Sequence, residues 1–401
     1  MNREKLVEIA EQFGTPLYVY DELKICNQYK LLKSAFGKQE VTLHYAMKAL
    51  SNSAILKLFK REGAGLDAVS IEEVQLGLRA GFEPNSIMYT PNGVSFEEIQ
   101  AAVELGVIIN IDNLTILEQF GSFYGTSVPV CVRINPHIMA GGNAQISVGH
   151  IDSKFGISIH QVKHILRLVN HYNIRIIGLH MHTGSDIVDA DVFLQGADLL
   201  YQVASEFPDL EFMDFGSGFK VAYKEGDYLS PIKELGKKIG DSFAAFCENY
   251  GRKLELKFEP GKYLVSESGV LLVSVNVVKQ TTSTVFLGVN SGQNHLIRPM
   301  FYGAYHHIEN ISSVSQSKKL YSVVGYICET DTFGYDRLIE ETKVGDVLAI
   351  QNAGAYGFSM SNQYNSRIRP AEVLLRKNEA VLIRRRETLE DLVRTEVAID
   401  L

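Results

Sequence analysis

Cysteine is scarce in this 401-residue chain: Cys26, Cys131, Cys247 and Cys328 lie far apart, and none belongs to a CxxC pair. Such spacing signals neither a zinc site nor a disulfide framework, and it fits a reducing cytoplasm. Positive charge is also in short supply. With 39 Lys and Arg against 47 Asp and Glu, the net charge of -8 argues against a nucleic-acid or anionic-membrane partner, since both need a basic face. No apolar run is long enough to span a bilayer. The longest, near GVLLVSVNVV (269–278), is rich in valine and reads as a buried strand. The amino terminus, MNREKLVEIAEQFGTPLYVYD, spreads charges through what a secretory signal would need as an apolar core. Internal repeats and low-complexity tracts are missing as well.

What is present describes an ordinary globular protein, 46% hydrophobic and 21% charged. Its length exceeds what one core usually serves, so two domains are expected unless one is a (β/α)8 barrel of roughly 250 residues with an appendage. From about residue 41 to 265, short β-rich segments alternate with helical patterns. Strands are predicted to end at YAMK, GLDAVS, IMYT, IINID, VCVRINP, GLHMHTGS, FMDFGSG and LKFEPGK, and eight such units make a barrel. Between them, IEEVQLGLRAG has helical spacing with a stop at Gly81, and SFEEIQAAVELG opens on a capping-box pattern at Ser95 and Glu98. After residue 270 the texture changes to strands such as LYSVVGYICE and GDVLAIQ, a second and mainly β domain that TPLYVYD near the start could join. The expected fold is α/β: a TIM-like barrel over 25–268, with 1–24 plus 269–401 forming a β-barrel- or sandwich-like domain. HIMAGGNAQISVGHIDSKFG reads as a long loop near a strand end, a common place for function.

Chemistry in such barrels sits at the carboxyl ends of the strands, and the unusual residues of this chain fall there. Lys48 ends a β-branched and aromatic stretch beside small residues, where partial burial would favour a free amine able to attack an aldehyde. Pyridoxal phosphate is the first aldehyde to consider. The GSG of Gly216 to Gly218, with Ser185, either presents N–H groups and a hydroxyl to a phosphate or simply makes a tight turn. Glu259 closes the last barrel strand, where a carboxylate either keeps a pyridine nitrogen protonated or forms a strand-end salt bridge. His180 and His182 alternate along a strand and share a face, as metal ligands or as packed, ring-stacking side chains.

YAMKA, HMHTGS, GSG, EPGK, LIRPMFYGAYH, ICETD and NAGAYGFSMSNQYNSRIRPAEV, in that order over almost the whole chain, resemble the diaminopimelate decarboxylases, fold-type III pyridoxal phosphate enzymes. The resemblance implies that Lys48 carries the cofactor as an internal aldimine and that His182 stacks on its ring. It also implies that Ser185, Gly218, Glu259, Pro260, Gly261, Lys262 and Tyr356 hold the cofactor, Glu259 at the ring nitrogen, with Arg133 near the phenolic oxygen. Lys262, Arg298, Tyr302, Glu329 and Tyr356 match substrate-binding positions, and Cys328 matches the proton donor. In the family Cys328 and Glu329 reach the site of a neighbouring subunit, so the β domain would contribute to the active site and to a homodimer interface. No metal is implied.

The residue chemistry agrees with a substrate bearing an amine and a carboxylate at each end: Arg298 and Lys262 are cations, Tyr302 offers a hydroxyl and Glu329 an acceptor. The bland alternatives are that Arg298 and Arg369 pair with surface acids and that Cys328 is a buried, inert thiol. The chain also departs from the family pattern. It has EPGK where EPGR is usual and Asn290 where aspartate is usual, and Gln293, His295 and the text after CET differ too. Rival readings are a lysine or ornithine decarboxylase, a racemase, a metal-dependent barrel hydrolase using the HxH pair, and a non-catalytic pyridoxal phosphate-binding protein.

Overall fold

The computed structural model describes residues 1–138, 153–182, 184, 190–224, 226–227, 229 and 231–400, so most of the long loop expected at 137–156 lies outside the described residues. The chain divides into two compact units, one formed by Cys26–Val221 and Tyr228–Tyr263, the other by Met1–Ile25, Ala222–Asp227 and Leu264–Leu401. Among the described residues no helix is long and apolar enough to cross a membrane.

The first unit is the expected barrel. Its strands are β1 (Val41–Ala46), β2 (Gly65–Ala68), β3 (Ile87–Tyr89), β4 (Ile108–Ile111), β5 (Val130–Asn135), β6 (Ile176–His180), β7 (Phe212–Asp214) and β8 (Glu255–Phe258). Each pairs in parallel with the next in chain order, and β8 pairs with β1 to close the ring. These are the eight strands predicted from the sequence. A parallel strand inside a ring of helices is covered on both faces, which is why β5 is buried at all six positions.

Capping turns the chain from strand into helix. Ser70 accepts from the Glu73 N–H (3.2 Å) to start Ile71–Ala80, and Gly81 ends it at φ +93°. Ser95 accepts from the Glu98 N–H (3.4 Å) and Asn113 from the Ile116 N–H (2.9 Å), opening Phe96–Glu104 and Leu114–Tyr124. The polar residues that the caps require therefore gather where each strand ends.

In the second unit one sheet runs in the order Thr332–Glu340, Lys318–Val324, Val285–Val289, Gly269–Gln280, Leu17–Asp21, Ala371–Arg376, Glu379–Arg384. The amino-terminal strand is central, antiparallel to Gly269–Gln280 and parallel to Ala371–Arg376. Leu17, Val19, Val270, Leu272 and Val373 share a core with Leu6 and Ile9 of the helix Arg3–Phe13. The valine-rich run is only partly the buried strand expected. Gly269–Val273 and Val275 are buried, whereas Val277 and Val278 are 51% and 39% exposed. A register shift between Val275 and Val277 marks the change, where the strand leaves Val347–Ile350 and pairs with Val285–Val289 alone.

Packing inside the barrel is tight at Gly178 on β6, where an added Cβ would lie 2.2 Å from the Phe212 ring. Gly178→Ala is expected to lower stability by about 1–3 kcal/mol through overpacking. A urea titration checks this: the midpoint should fall with an unchanged slope.

Candidate active site

Lys48 follows β1 in a short 3-10 turn, Met47–Ala49, whose Met47 and Ala49 are buried. Its own side chain is 41% exposed, and its Nζ lies 2.7 Å from Oδ2 of the buried Asp67 at the end of β2. A buried carboxylate, rather than an apolar wall alone, therefore fixes the amine. Burial and the charge of Glu259 push the Asp67 carboxyl up, while Lys48 opposes the rise.

Glu259 stands one residue beyond β8 and is buried. Its Oε2 lies 3.0 Å from His180 Nε2, its Oε1 3.5 Å from Thr90 Oγ1, and its N–H donates to Gly216 O at 2.6 Å. Burial raises its carboxyl from the ordinary range, and the cations Lys48 and Arg133 oppose that. Burial keeps His180 neutral, so the 3.0 Å contact is an imidazole N–H donated to Glu259, and Nδ1 is left without a partner among the described residues. Arg133, near the end of β5, is buried, with its guanidinium carbon 5.0 Å from the centroid of the Phe155 ring. Burial lowers its pKa, against the pull of Glu259, Asp112, Asp67 and Asp214.

The two histidines part company in the structure. His180 is the last residue of β6, whereas His182 lies beyond the strand, so the shared strand face expected for them is not formed. His182 Nδ1 instead accepts from the Ser217 N–H at 3.1 Å, which puts the ring proton on Nε2 and orients the imidazole. Burial holds that ring neutral too. The GSG segment is thus a turn with a purpose. Gly216 sits at φ +61°, and a Cβ there would come within 2.6 Å of His182 Nδ1 and 2.8 Å of Met181 O. The Gly216 N–H donates to Asp214 Oδ1 at 2.8 Å, and the Ser217 N–H is taken by His182. Gly218, at φ +145°, has the one N–H of the three without a partner among the described residues. Ser185 lies outside the described residues.

The EPGK segment packs directly against the Lys48 turn. The Ala46 N–H donates to Pro260 O at 3.2 Å, and a Cβ on Gly261 would meet the Cβ atoms of Ala46 and Ala49 at 3.1 and 3.2 Å. Lys262 then opens the helix Lys262–Val265. Asp67, Asp214 and Thr90 belong to this polar group and were not singled out from the sequence, although each ends or follows a strand named there. Ligand atoms of His180, Asp214 and Glu259 lie within 4.8 Å of one another, but a cation among them would have to displace the His180–Glu259 hydrogen bond.

In the other unit, Arg298 begins the short helix Arg298–Tyr302 and is 9% exposed. Its guanidinium carbon lies 5.5 and 5.7 Å from the ring centroids of Tyr223 and Tyr302, and no carboxylate pairs with it among the described residues. Arg369 behaves otherwise, pairing with Glu387 at 3.2 Å as the bland alternative had it. Cys328 is exposed, not a buried thiol, with Sγ 3.6 Å from Glu329 Oε2 and 3.4 Å from Asn365 Nδ2. A hydrogen bond from the Tyr364 hydroxyl lowers the pKa of the exposed Glu329. Tyr356 takes a left-handed φ of +56°. Two departures from the family text are used internally. Asn290 accepts from the Ser274 N–H (2.9 Å) and donates to Thr15 Oγ1 (2.8 Å), while His295 contacts Ser291 Oγ and Ile368 O, both at 3.0 Å.

The barrel group fits pyridoxal phosphate. It offers an amine at Lys48, a buried carboxylate for a ring nitrogen at Glu259, an oriented imidazole at His182, a buried guanidinium at Arg133 and an unpaired N–H at Gly218. Comparison with known proteins points the same way. The family described as pyridoxal-dependent decarboxylase, pyridoxal binding domain, matches residues 22–266. The chain is 38% identical over 398 residues to the diaminopimelate decarboxylase of Methanothermobacter thermautotrophicus, covering 97% of this chain and 93% of that one. Against the diaminopimelate decarboxylase of Aquifex aeolicus the identity is 34%, with the same coverage. Among solved structures, diaminopimelate decarboxylase from Helicobacter pylori complexed with L-lysine superposes with a TM-score of 0.90 at 32% identity, covering 98% of this chain and 99% of that one.

Asp214 supplies a test of the electrostatics. Burial first, and the charge of Glu259 second, push its carboxyl well up, so the native state keeps a proton that the unfolded chain releases near pH 4. A raised acid contributes stability below its unfolded pKa and loses it as pH rises towards the folded value. Asp214→Asn keeps the oxygen that accepts from Gly216 and has no proton to lose. Its stability relative to wild type, measured by urea unfolding, should therefore increase as pH rises above the ordinary carboxyl range; a constant difference would exclude the raised pKa.

Proposed function

The chain belongs to the diaminopimelate decarboxylases, pyridoxal phosphate-dependent carboxy-lyases, and from that premise we propose how its residues convert meso-2,6-diaminopimelate to L-lysine and carbon dioxide. The observation that carries the reading is the placing of the Lys48–Asp67 ion pair and the buried Glu259 at the ends of β2 and β8, either side of the β1 turn. Bound pyridoxal phosphate supplies an electron-accepting ring for the pair left behind when the carboxylate departs.

Lys48 Nζ is the proposed covalent anchor, with Asp67 holding the amine in place. Glu259 would keep a proton at the ring nitrogen of bound cofactor, its carboxylate oriented by the contact with His180. His182, oriented by the Ser217 N–H, would cover the ring, and Arg133 would face the phenolic oxygen. Gly218 would offer its N–H to the phosphate, and Ser185, Pro260, Gly261, Lys262 and Tyr356 would complete the cofactor contacts. For the substrate we assign Lys262, Arg298, Tyr302, Glu329 and Tyr356. Arg298 is the receptor for the carboxylate at the end that does not react, because it is buried without an acid partner among the described residues. Cys328 Sγ–H delivers the proton that replaces the departing carboxylate on carbon.

We further propose a homodimer in which Cys328 and Glu329 serve the partner's site, which accounts for a free thiol and its acidic neighbour lying exposed on a single chain. The four free cysteines fit work in a reducing cytoplasm.

Purified protein with cofactor, given meso-diaminopimelate, L-lysine and L-ornithine separately, should release carbon dioxide from the first alone. Borohydride reduction followed by peptide mapping should label Lys48, and a label on another lysine would sink the anchor. For the shared site, Lys48→Ala and Cys328→Ala proteins, each inactive, should regain activity when their subunits are exchanged. Each mixed dimer then holds one site with both residues and one with neither. No recovery after proven exchange would place Cys328 in its own chain's site or outside the reaction.

A further inference from the structure

We propose that Tyr223 is a positioning residue for substrate specificity: it holds the Arg298 guanidinium ready for the carboxylate at the non-reacting end of the substrate. This rests on the role of Arg298 proposed above and adds a residue that no motif had pointed to.

A guanidinium carries five N–H donors and cannot be neutralised, so burying one without an anion is costly. Arg298 is in that position. Its Nε has no partner among the described residues, and its Nη2 donates to the Tyr223 hydroxyl at 3.2 Å. The ring of Tyr223 lies beside the guanidinium as well. Tyr223 is thus the polar neighbour that sets the orientation of the fork while leaving donors for an incoming carboxylate.

The direction of each hydrogen bond around Tyr223 follows from the chemistry of its ends. Ser266 Oγ donates to the Asn352 carbonyl at 3.3 Å, which can only accept. Its proton is thereby committed, so the 3.1 Å contact between Tyr223 Oη and Ser266 Oγ must use the tyrosine's proton. The lone pairs of the tyrosine oxygen are then left to face Arg298, which can only donate. A chain of Arg298, Tyr223, Ser266 and Asn352 results, each donating to the next.

Tyr223 is itself held from several sides. Asp227 Oδ2 accepts from the Tyr223 and Lys224 N–H groups at 2.9 and 3.2 Å. Asn352 Nδ2 donates to the preceding carbonyl, Ala222 O, at 2.7 Å. The ring meets His306 edge to face at 5.6 Å, and His306 is anchored through Nδ1 to Gln351 O at 2.9 Å. Asn352 adopts φ +57°, and its neighbour Gln351 holds His306, so the start of the NAGAY segment anchors both the hydroxyl and the ring. A guanidinium oriented in advance loses less freedom when the substrate binds, which is how a residue touching no substrate can set affinity.

The test is steady-state kinetics on the holoenzyme for wild type, Tyr223→Phe, Arg298→Ala and the double variant, with meso-diaminopimelate as substrate and L-lysine and cadaverine as inhibitors. L-lysine keeps the non-reacting carboxylate of the substrate, and cadaverine has none. Because Tyr223 acts through Arg298 and not on the substrate itself, its loss should read as that of an ordinary hydrogen bond, a rise of about two- to tenfold in KM for Tyr223→Phe, with kcat within about twofold. The inhibition constant for L-lysine should rise with it, and that for cadaverine should stay put. In the Arg298→Ala background Tyr223→Phe should add nothing, because its effect passes through the arginine. Ser266→Ala, which removes the acceptor of the tyrosine proton, should move KM the same way by a smaller factor and guards against a folding defect in one variant. If Arg298→Ala raises KM and Tyr223→Phe does not, the inference fails while the assignment of Arg298 stands. A rise with Tyr223→Phe that persists undiminished in the double variant, or an equal loss of cadaverine binding, would show a merely structural tyrosine. No effect of Arg298→Ala on either KM or lysine inhibition would overturn the assignment of Arg298 and the role of Tyr223 together.

Discussion

Charge balance out of water is the constraint on which the barrel site depends. Asp67, Asp214 and Glu259 are all buried at the same end of the ring, and like charges so placed cannot all ionise without cations nearby. Lys48 and Arg133 oppose the rise of Glu259, and Lys257, buried with its Nζ 4.0 Å from the Phe212 ring centroid, opposes that of Asp214. Burial raises both Asp214 and Glu259, and the charge of Glu259 adds to the rise of Asp214. Glu259 also has two nearby cations and a contact with His180, so its oxygens are held from more than one side.

The backbone makes this arrangement possible at a few points of close approach. Gly216 lets the turn after β7 come up against His182, and Gly261 lets the EPGK segment lie against Ala46 and Ala49 beneath the lysine turn. Both glycines serve proximity: each removes a Cβ from where another segment must pass. The turn of GSG was open to two readings in the sequence, a phosphate cradle or a tight bend. In the structure two of its three N–H groups contact Asp214 and His182, and the Gly218 N–H has no partner among the described residues.

The β-rich unit shows the same contrast between residues that are satisfied internally and residues that are not. Arg369 is neutralised by Glu387, and Asn290 and His295 are absorbed in contacts between strands and loops. Arg298 stays buried without an acid partner among the described residues, and Cys328 with Glu329 stays exposed. Spatial partners, more than residue type, separate groups available for chemistry from groups engaged in the fold.

The barrel was legible because its signals are local. Short β-rich runs, the capping pattern at Ser95 and the glycine stop at Gly81 each act within a turn or so of the residues they organise. Eight strand ends and the residues on them could be read for the same reason, Lys48 and Glu259 included. Pairings between distant segments could not. That Asp67 rather than another acid meets Lys48, that His182 leaves the strand face of His180, that the valine-rich strand turns outward after Val275 and that Tyr223 meets Arg298 are all set by contacts across many residues of chain. The sequence by itself determined which elements form and which reactive groups stand at their ends, since hydrophobic period and capping are short-range. Only the tertiary structure decided which of those groups are paired, buried or left open, because burial and hydrogen bonding belong to neighbours in space.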